Sequence, residues 1–136
     1  MRPRAQIVEG AKAPARGRVK TRLARAIGEV LALGFYRRTL ADAVRALARD
    51  RRWRVVLAVS PDRAASRGRM WPKGVARMPQ GPGDLGQRMA RVFGRLRPGP
   101  ALIVGADIPE LGPAHIAGAL GALGAADIVF GPAADG

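Results

Sequence analysis

The stretch ALIVGADIPEL, Ala101 to Leu111, decides how the chain is read: a run of small and apolar residues ends in Gly105, Ala106 and a single carboxylate, Asp107. A continuous apolar run bounded by turn residues reads as a strand covered on both faces, as parallel strands are. Open α/β sheets bind ligands outside the carboxyl ends of their strands, which puts Asp107 at the ligand-binding edge. Gly105 lets the backbone approach a ligand closely, and Pro109 restricts Ile108 and stiffens the exit from the strand. A lone aspartate in such a place most often bonds its own turn, so the weight falls on the rest of the chain.

Upstream, Ala5 to Glu9 reads as a first strand, followed by a loop from Gly10 to Leu23 that carries Lys12, Arg16, Arg18, Lys20 and Arg22. Backbone amides freed by Gly10 and Gly17, together with such cations, can wrap a polyphosphate. From about Gly28 to Asp50, Leu33, Tyr36, Leu40, Val44 and Leu47 recur at threes and fours, the pattern of a long amphipathic helix. Its basic tail, Arg49 to Arg54, suits the negative end of the helix dipole and reads as structural. Trp53 to Val59 is a second strand, closed by Ser60, Pro61 and Asp62, with irregular basic sequence up to Gly74. Val75 to Met78 is a weak third strand. Asp84 then caps a helix with Gln87 three residues on, Leu85, Met89, Val92, Phe93 and Leu96 forming its apolar face, and Arg88, Arg91 and Arg95 pointing away. Beyond the opening stretch, Pro113 starts a helix through Leu123, and Ala126 to Phe130 reads as a fifth strand ending in GPAADG. Alternating strands and helices imply a three-layer α/β/α domain, with a mostly parallel, Rossmann-like sheet.

The length of 136 residues suits one domain with a single core, residues 1–136. With no cysteine in the chain, disulfides, thiolate catalysis and Cys-ligated zinc are excluded. No apolar run approaches the roughly 20 residues of a membrane span, and the N-terminus lacks a signal-peptide core, so the expected location is cytoplasmic. The net charge of +14 is unevenly spread: residues 1–54 carry +11, residues 55–100 carry +7, and residues 101–136 carry −4 with no basic residue. A basic first half and an acidic last quarter can together hold phosphates and a divalent cation. The same charge admits a nucleic-acid-binding module, although an aromatic content of 4% argues against base stacking.

Several motifs fail on inspection. Val19 before Lys20 and Thr21 breaks the P-loop pattern. Gly81, Gly83 and Gly86 satisfy GxGxxG, but the preceding strand is short and Pro82 removes an amide from the turn that would cradle a pyrophosphate. Ser60 and Ser66 lie in or beside irregular segments and His115 falls early in a helix, where it reads as a surface or capping residue. Without a His or Cys cluster, any metal would be a hard cation held by carboxylates and phosphate oxygens. Asp107 and Asp135, each just beyond a strand, are the candidates, whereas Asp127 precedes its strand and reads as a turn residue.

Three blocks, AKAPARGRVKTRL at 11–23, QGPGDLGQRM at 80–89, and GADIPEL with GPAADG at 105–111 and 131–136, give the chain a resemblance to a known family. It resembles the glycosyltransferase-A-like small transferases often encoded beside radical-SAM or selenium-related genes, and is more distantly similar to the guanylyltransferases of cofactor biosynthesis. The resemblance implies a nucleotide-diphospho-sugar transferase-like fold. Its first loop would hold nucleotide phosphates through Lys12, Gly17, Arg18, Lys20 and Arg22, with Asp84 of the second block also on the nucleotide side. Asp107 and Asp135 would be the catalytic carboxylates and would hold Mg²⁺ or Mn²⁺. Arg16 stands where the family commonly has proline. The family's third block usually continues into a further strand, so the chain is expected to lack a C-terminal part of the domain. The implied activity is metal-dependent transfer from a nucleotide or nucleotide-sugar donor to a small-molecule acceptor, glycosyl transfer first and nucleotidyl transfer to a phosphorylated small molecule second.

Overall fold

The structure, a computed structural model, describes residues 4–15, 18–105 and 112–123. In chain order it forms β1 (Ala5–Lys12), α1 (Thr21–Ile27), α2 (Glu29–Ala48) and β2 (Trp53–Ser60). Two short 3₁₀ turns (Asp62–Ser66 and Gly68–Met70) lead to β3 (Ala76–Pro79), α3 (Leu85–Arg95), β4 (Ala101–Gly105) and α4 (Pro113–Leu123). The four strands are parallel in the order β3-β2-β1-β4, as the alternation of strands and helices predicts.

Side-chain alternation along the strands sorts the core into two faces. Ala11, Leu57 and Val59 meet Tyr36, Leu40 and Val44 of α2, while Ile7, Trp53 and Val55 meet Leu47 of α2 and Ile116 of α4. On the opposite face, Val8 and Ala58 pack against Val92 of α3. The expected stripe of α2 is thus the buried one, with Leu40, Val44 and Leu47 each at most 2% exposed. Burial of each such side chain stabilises the fold by about 1.5–3 kcal/mol.

Several boundaries differ from expectation, for reasons of pairing. β1 extends past Glu9 to Lys12 because Gly10, Ala11 and Lys12 pair in register with Ala58, Val59 and Ser60. The end of the expected loop is helical, with Thr21 opening α1 after Lys20 takes a left-handed conformation at φ 49°. β3 includes Pro79, which a sheet tolerates because β3 lies at the edge of the four described strands. β4 was expected to be fully covered, but all five of its residues are half-buried, since among the described strands it pairs with β1 alone. The expected strand at 126–130 lies outside the described residues.

α3 departs most from its pattern. Asp84 does cap it, with Gln87 completing a reciprocal box, yet Val92 is its one buried residue, and Leu85 and Phe93 are 66% and 45% exposed. Arg88 and Arg91 fold back onto the preceding loop, donating to Gln80 Oε1 at 3.3 Å and to Pro82 O at 2.7 Å.

Candidate functional site

Parallel register brings the carboxyl ends of the strands to one edge. Lys12 stands opposite Ser60, Gly10 opposite Gly105, and Val59 opposite Pro79. The end of β1 is tied down on two sides: Tyr36 Oη of α2 donates to Lys12 O at 2.6 Å, and Ala13 N donates to Ser60 O at 2.7 Å. Strand ends fixed in this way give a rigid floor for a ligand.

Over this floor lies a cavity of about 550 Å³. Gly10, Lys12, Ser60 and Gly105 contribute strand ends, Arg18 and Lys20 the first loop, Thr21 the start of α1, and Gln80, Arg88 and Met89 the opposite rim. A Cβ on Gly10 would stand 3.9 Å from both Gln80 Nε2 and Val104 O, an ordinary contact, so the floor between those two residues is open at this position without requiring glycine. Gln80 is the hub of the rim, held by Gln80 N to Val59 O at 3.0 Å and by Gln80 Nε2 to Ala58 O at 2.9 Å. It in turn accepts Arg88 Nη1, so one polar side chain links the strand ends to a guanidinium at the cavity wall. Four cations, Lys12, Arg18, Lys20 and Arg88, line a cavity in which no described residue contributes a carboxylate. Such a lining attracts an anion with several oxygens, as charge-assisted hydrogen bonds to phosphate require.

Of the residues expected at the site, Lys12, Arg18 and Lys20 come together in this cavity. Arg22 lies on α1 outside its lining. The Asp84 carboxylate accepts from Gln87 N at 2.8 Å and is likewise outside it. Gly17, Asp107 and Asp135 lie outside the described residues, and among the described residues no group of three His, Cys, Asp or Glu could hold a metal. His115 is a capping residue, its Nδ1 accepting from Gly112 N at 3.2 Å. Of the helix-end arginines, Arg52 donates to Asp50 and lies over the Trp53 ring at 4.8 Å. That hydrogen bond holds the Asp50 carboxyl below its ordinary range.

The glycines of 81–86 serve the protein itself. Gly81 has φ 81°, and a Cβ there would collide with Arg91, which occupies the inside of the turn and donates to Gln80 O and Pro82 O. Residues that the sequence reading left out of the site are Tyr36, Ser60, Gln80 and Arg88. The last two sit in the block at 80–89, where they were legible as a motif without a role.

One buried group stands out beside the site. Glu9, on β1 between Ile7 and Ala11 and flanked in register by Leu57 and Val104, is 1% exposed, and its Oε2 has no hydrogen-bond partner among the described residues. Burial in this apolar setting pushes its carboxyl up to about 7. By contrast Gln6, also buried, uses both its amide nitrogen and its oxygen, donating to Arg97 O and accepting from Arg97 N.

Comparison with known proteins adds two findings. The family model described as "Uncharacterized protein conserved in bacteria (DUF2064)" matches residues 39–136. A crystal structure of a "putative nucleotide-diphospho-sugar transferase" from Desulfovibrio desulfuricans G20 superposes with a TM-score of 0.73 at 26% identity, over 88% of this chain. The chain spans about half of that protein, 54% of its length. No curated protein matches the sequence. Among the described residues no helix is long and apolar enough to cross a membrane.

Proposed function

Taking as premise that this chain belongs to the DUF2064 family of bacterial proteins, we propose that it is a transferase domain that binds a nucleotide-activated donor and transfers a sugar. The observation that carries this reading is the cation-lined cavity at the carboxyl edge of the parallel sheet, where Lys12, Arg18, Lys20 and Arg88 converge with no carboxylate among the described lining residues. The likeness to a structure described as a nucleotide-diphospho-sugar transferase favours a sugar over a nucleotidyl group as the part moved.

The described residues would bind the donor diphosphate through these cations, orient it against the floor of Gly10 and Gly105, and offset charge on the departing diphosphate. Gln80 would hold Arg88 in its rotamer, so that the guanidinium is placed before the ligand arrives. The cavity has anion-binding groups but no carboxylate among its described residues, and Asp107 is the carboxylate we assign to a metal there. That residue follows Gly105 by two positions, and covalent geometry keeps the two Cα atoms within about 7 Å. Asp107, with Asp135 as the second candidate, would hold Mg²⁺ or Mn²⁺. Such an ion, when bound, supplies charge neutralisation at the diphosphate.

Titration calorimetry with nucleoside diphosphates and sugar nucleotides, with and without Mn²⁺, tests the reading. Arg18→Ala with Lys20→Ala should weaken binding at least about tenfold, the loss expected for a charge-assisted contact of 1.5–3 kcal/mol. Arg49→Ala with Arg51→Ala removes equal charge away from the cavity and should change it little. Equal losses would indicate diffuse attraction, and duplex DNA binding with a steep salt slope and no nucleotide binding would favour a nucleic-acid module.

A further inference from the structure

A second concavity, of about 600 Å³, adjoins the first and shares Lys12, Arg18 and Ser60 with it. Its far wall is the segment after β2, which presents Arg63 and Arg67. That segment is held at three points. Asp62 Oδ1 accepts from Gly81 N at 2.9 Å, Ala64 O from Trp71 Nε1 at 2.8 Å, and Ala65 O from Arg77 Nε at 2.9 Å. Ala64 and Trp71 are themselves core residues, 2% and 4% exposed. The backbone carrying the two arginines is therefore anchored, and from it both exposed side chains reach the cavity wall.

Lys12 and Arg18 face this cavity from the β1 side and Arg63 and Arg67 from the other, and no described carboxylate lines it or pairs with any of the four. Four like charges around one space repel each other, and an anion seated between them relieves that repulsion. Among the described residues the remaining wall is mostly small and aliphatic, Ala13, Ala15, Pro61 and Ala64 beside Met70, with no aromatic ring on which a base could stack. The lining suits a compact, highly charged anion better than a flat heterocycle. Guanidinium pairs recognise the oxygens of a phosphate in fork geometry.

We propose that this second cavity is the subsite for a phosphate monoester carried by the second substrate, gripped by Arg63 and Arg67 opposite Lys12 and Arg18. The proposal rests on the donor reading above, in which the neighbouring cavity takes the diphosphate. Sharing of Lys12 and Arg18 would bring the two substrates to either side of one basic wall.

The test is calorimetry on the full chain with glycerol 3-phosphate and inorganic phosphate as probes, in the presence and absence of a saturating nucleoside diphosphate. Glycerol 3-phosphate should bind to the nucleotide-saturated protein. Arg63→Ala with Arg67→Ala should weaken it at least about tenfold while leaving nucleoside diphosphate affinity within about twofold. Inorganic phosphate should compete with glycerol 3-phosphate and leave the nucleotide bound, which marks the phosphate group as the recognised part. Displacement of glycerol 3-phosphate by the nucleotide, or equal loss of both ligands in the double variant, would assign the two cavities to one donor and overturn the proposal. So would an equal loss from Arg49→Ala with Arg51→Ala, which would indicate diffuse attraction. Nucleotide binding without any phosphate monoester binding would remove the subsite and leave the donor reading standing. Phosphate monoester binding with the predicted variant response, but no nucleotide binding, would do the reverse.

Discussion

The Tyr36 hydroxyl donates a 2.6 Å hydrogen bond to the carbonyl of Lys12, so a residue in the buried stripe of α2 fixes the last residue of β1 at the mouth of the cavity. Core packing and site geometry meet in this contact. Tyr36→Phe keeps the ring and loses the hydroxyl, which should lower stability by about 1 kcal/mol. Nucleoside diphosphate affinity should fall as well, because the end of β1 loses one of its two tethers. Urea denaturation and calorimetry on the same variant check both. Unchanged affinity in a destabilised variant would restrict Tyr36 to the core.

Glu9 supplies a pH dependence whose sign follows from its raised carboxyl. The folded state holds the proton up to about 7, against an ordinary value of 4.5. The proton therefore favours folding, and its stabilising effect is full below pH 4.5 and is lost as pH rises toward 7. Glu9→Gln removes the ionisation. It should match the parent chain in stability under acid conditions and exceed it by up to about 3 kcal/mol above the folded value. Denaturation midpoints of both proteins across this range decide the matter, and a constant difference would mean that Glu9 does not titrate there.

Gly81 and Arg91 occupy one space, since a Cβ on the glycine would collide with the guanidinium. With φ at 81°, Gly81→Ala should cost about 1–3 kcal/mol from backbone strain and the displaced arginine together. Adding Arg91→Ala should recover the steric part, and a double-mutant cycle measures it. Additive losses would show that the backbone alone is responsible.

Metal dependence is the prediction attached to Asp107. Asp107→Asn should abolish the increment in donor affinity that Mn²⁺ gives while leaving the metal-free affinity as it was. Chelation of the parent protein should produce the same affinity as the variant. An increment that survives the substitution would move the metal to other ligands, and a variant that fails to fold would make Asp107 a turn residue.

The elements of this domain are written locally. The stripe Tyr36, Leu40, Val44, Leu47 names α2, the runs in β1, β2 and β4 name strands, and Asp84 with Gln87 names the start of α3, because periodicity and capping depend on residues a few positions apart. Their alternation implies a parallel sheet with ligands at its carboxyl edge. What tertiary structure alone decided is which of the 21 arginines face the cavities. Arg18, Arg63, Arg67 and Arg88 do, and Arg49 and Arg51 do not; the loop around Arg18 and the helix end at Arg49 and Arg51 were legible along the chain, whereas nothing in the neighbours of Arg63, Arg67 and Arg88 marked them. Their places follow from the register of β1 on β2, where Lys12 meets Ser60 across a separation of 48 positions, and from a helix whose Arg88 and Arg91 turn toward Gln80. The lone oxygen of Glu9 is hidden for the same reason. A glutamate in a strand looks exposed or buried only once the helices on either face, and the strands on either side, are in place.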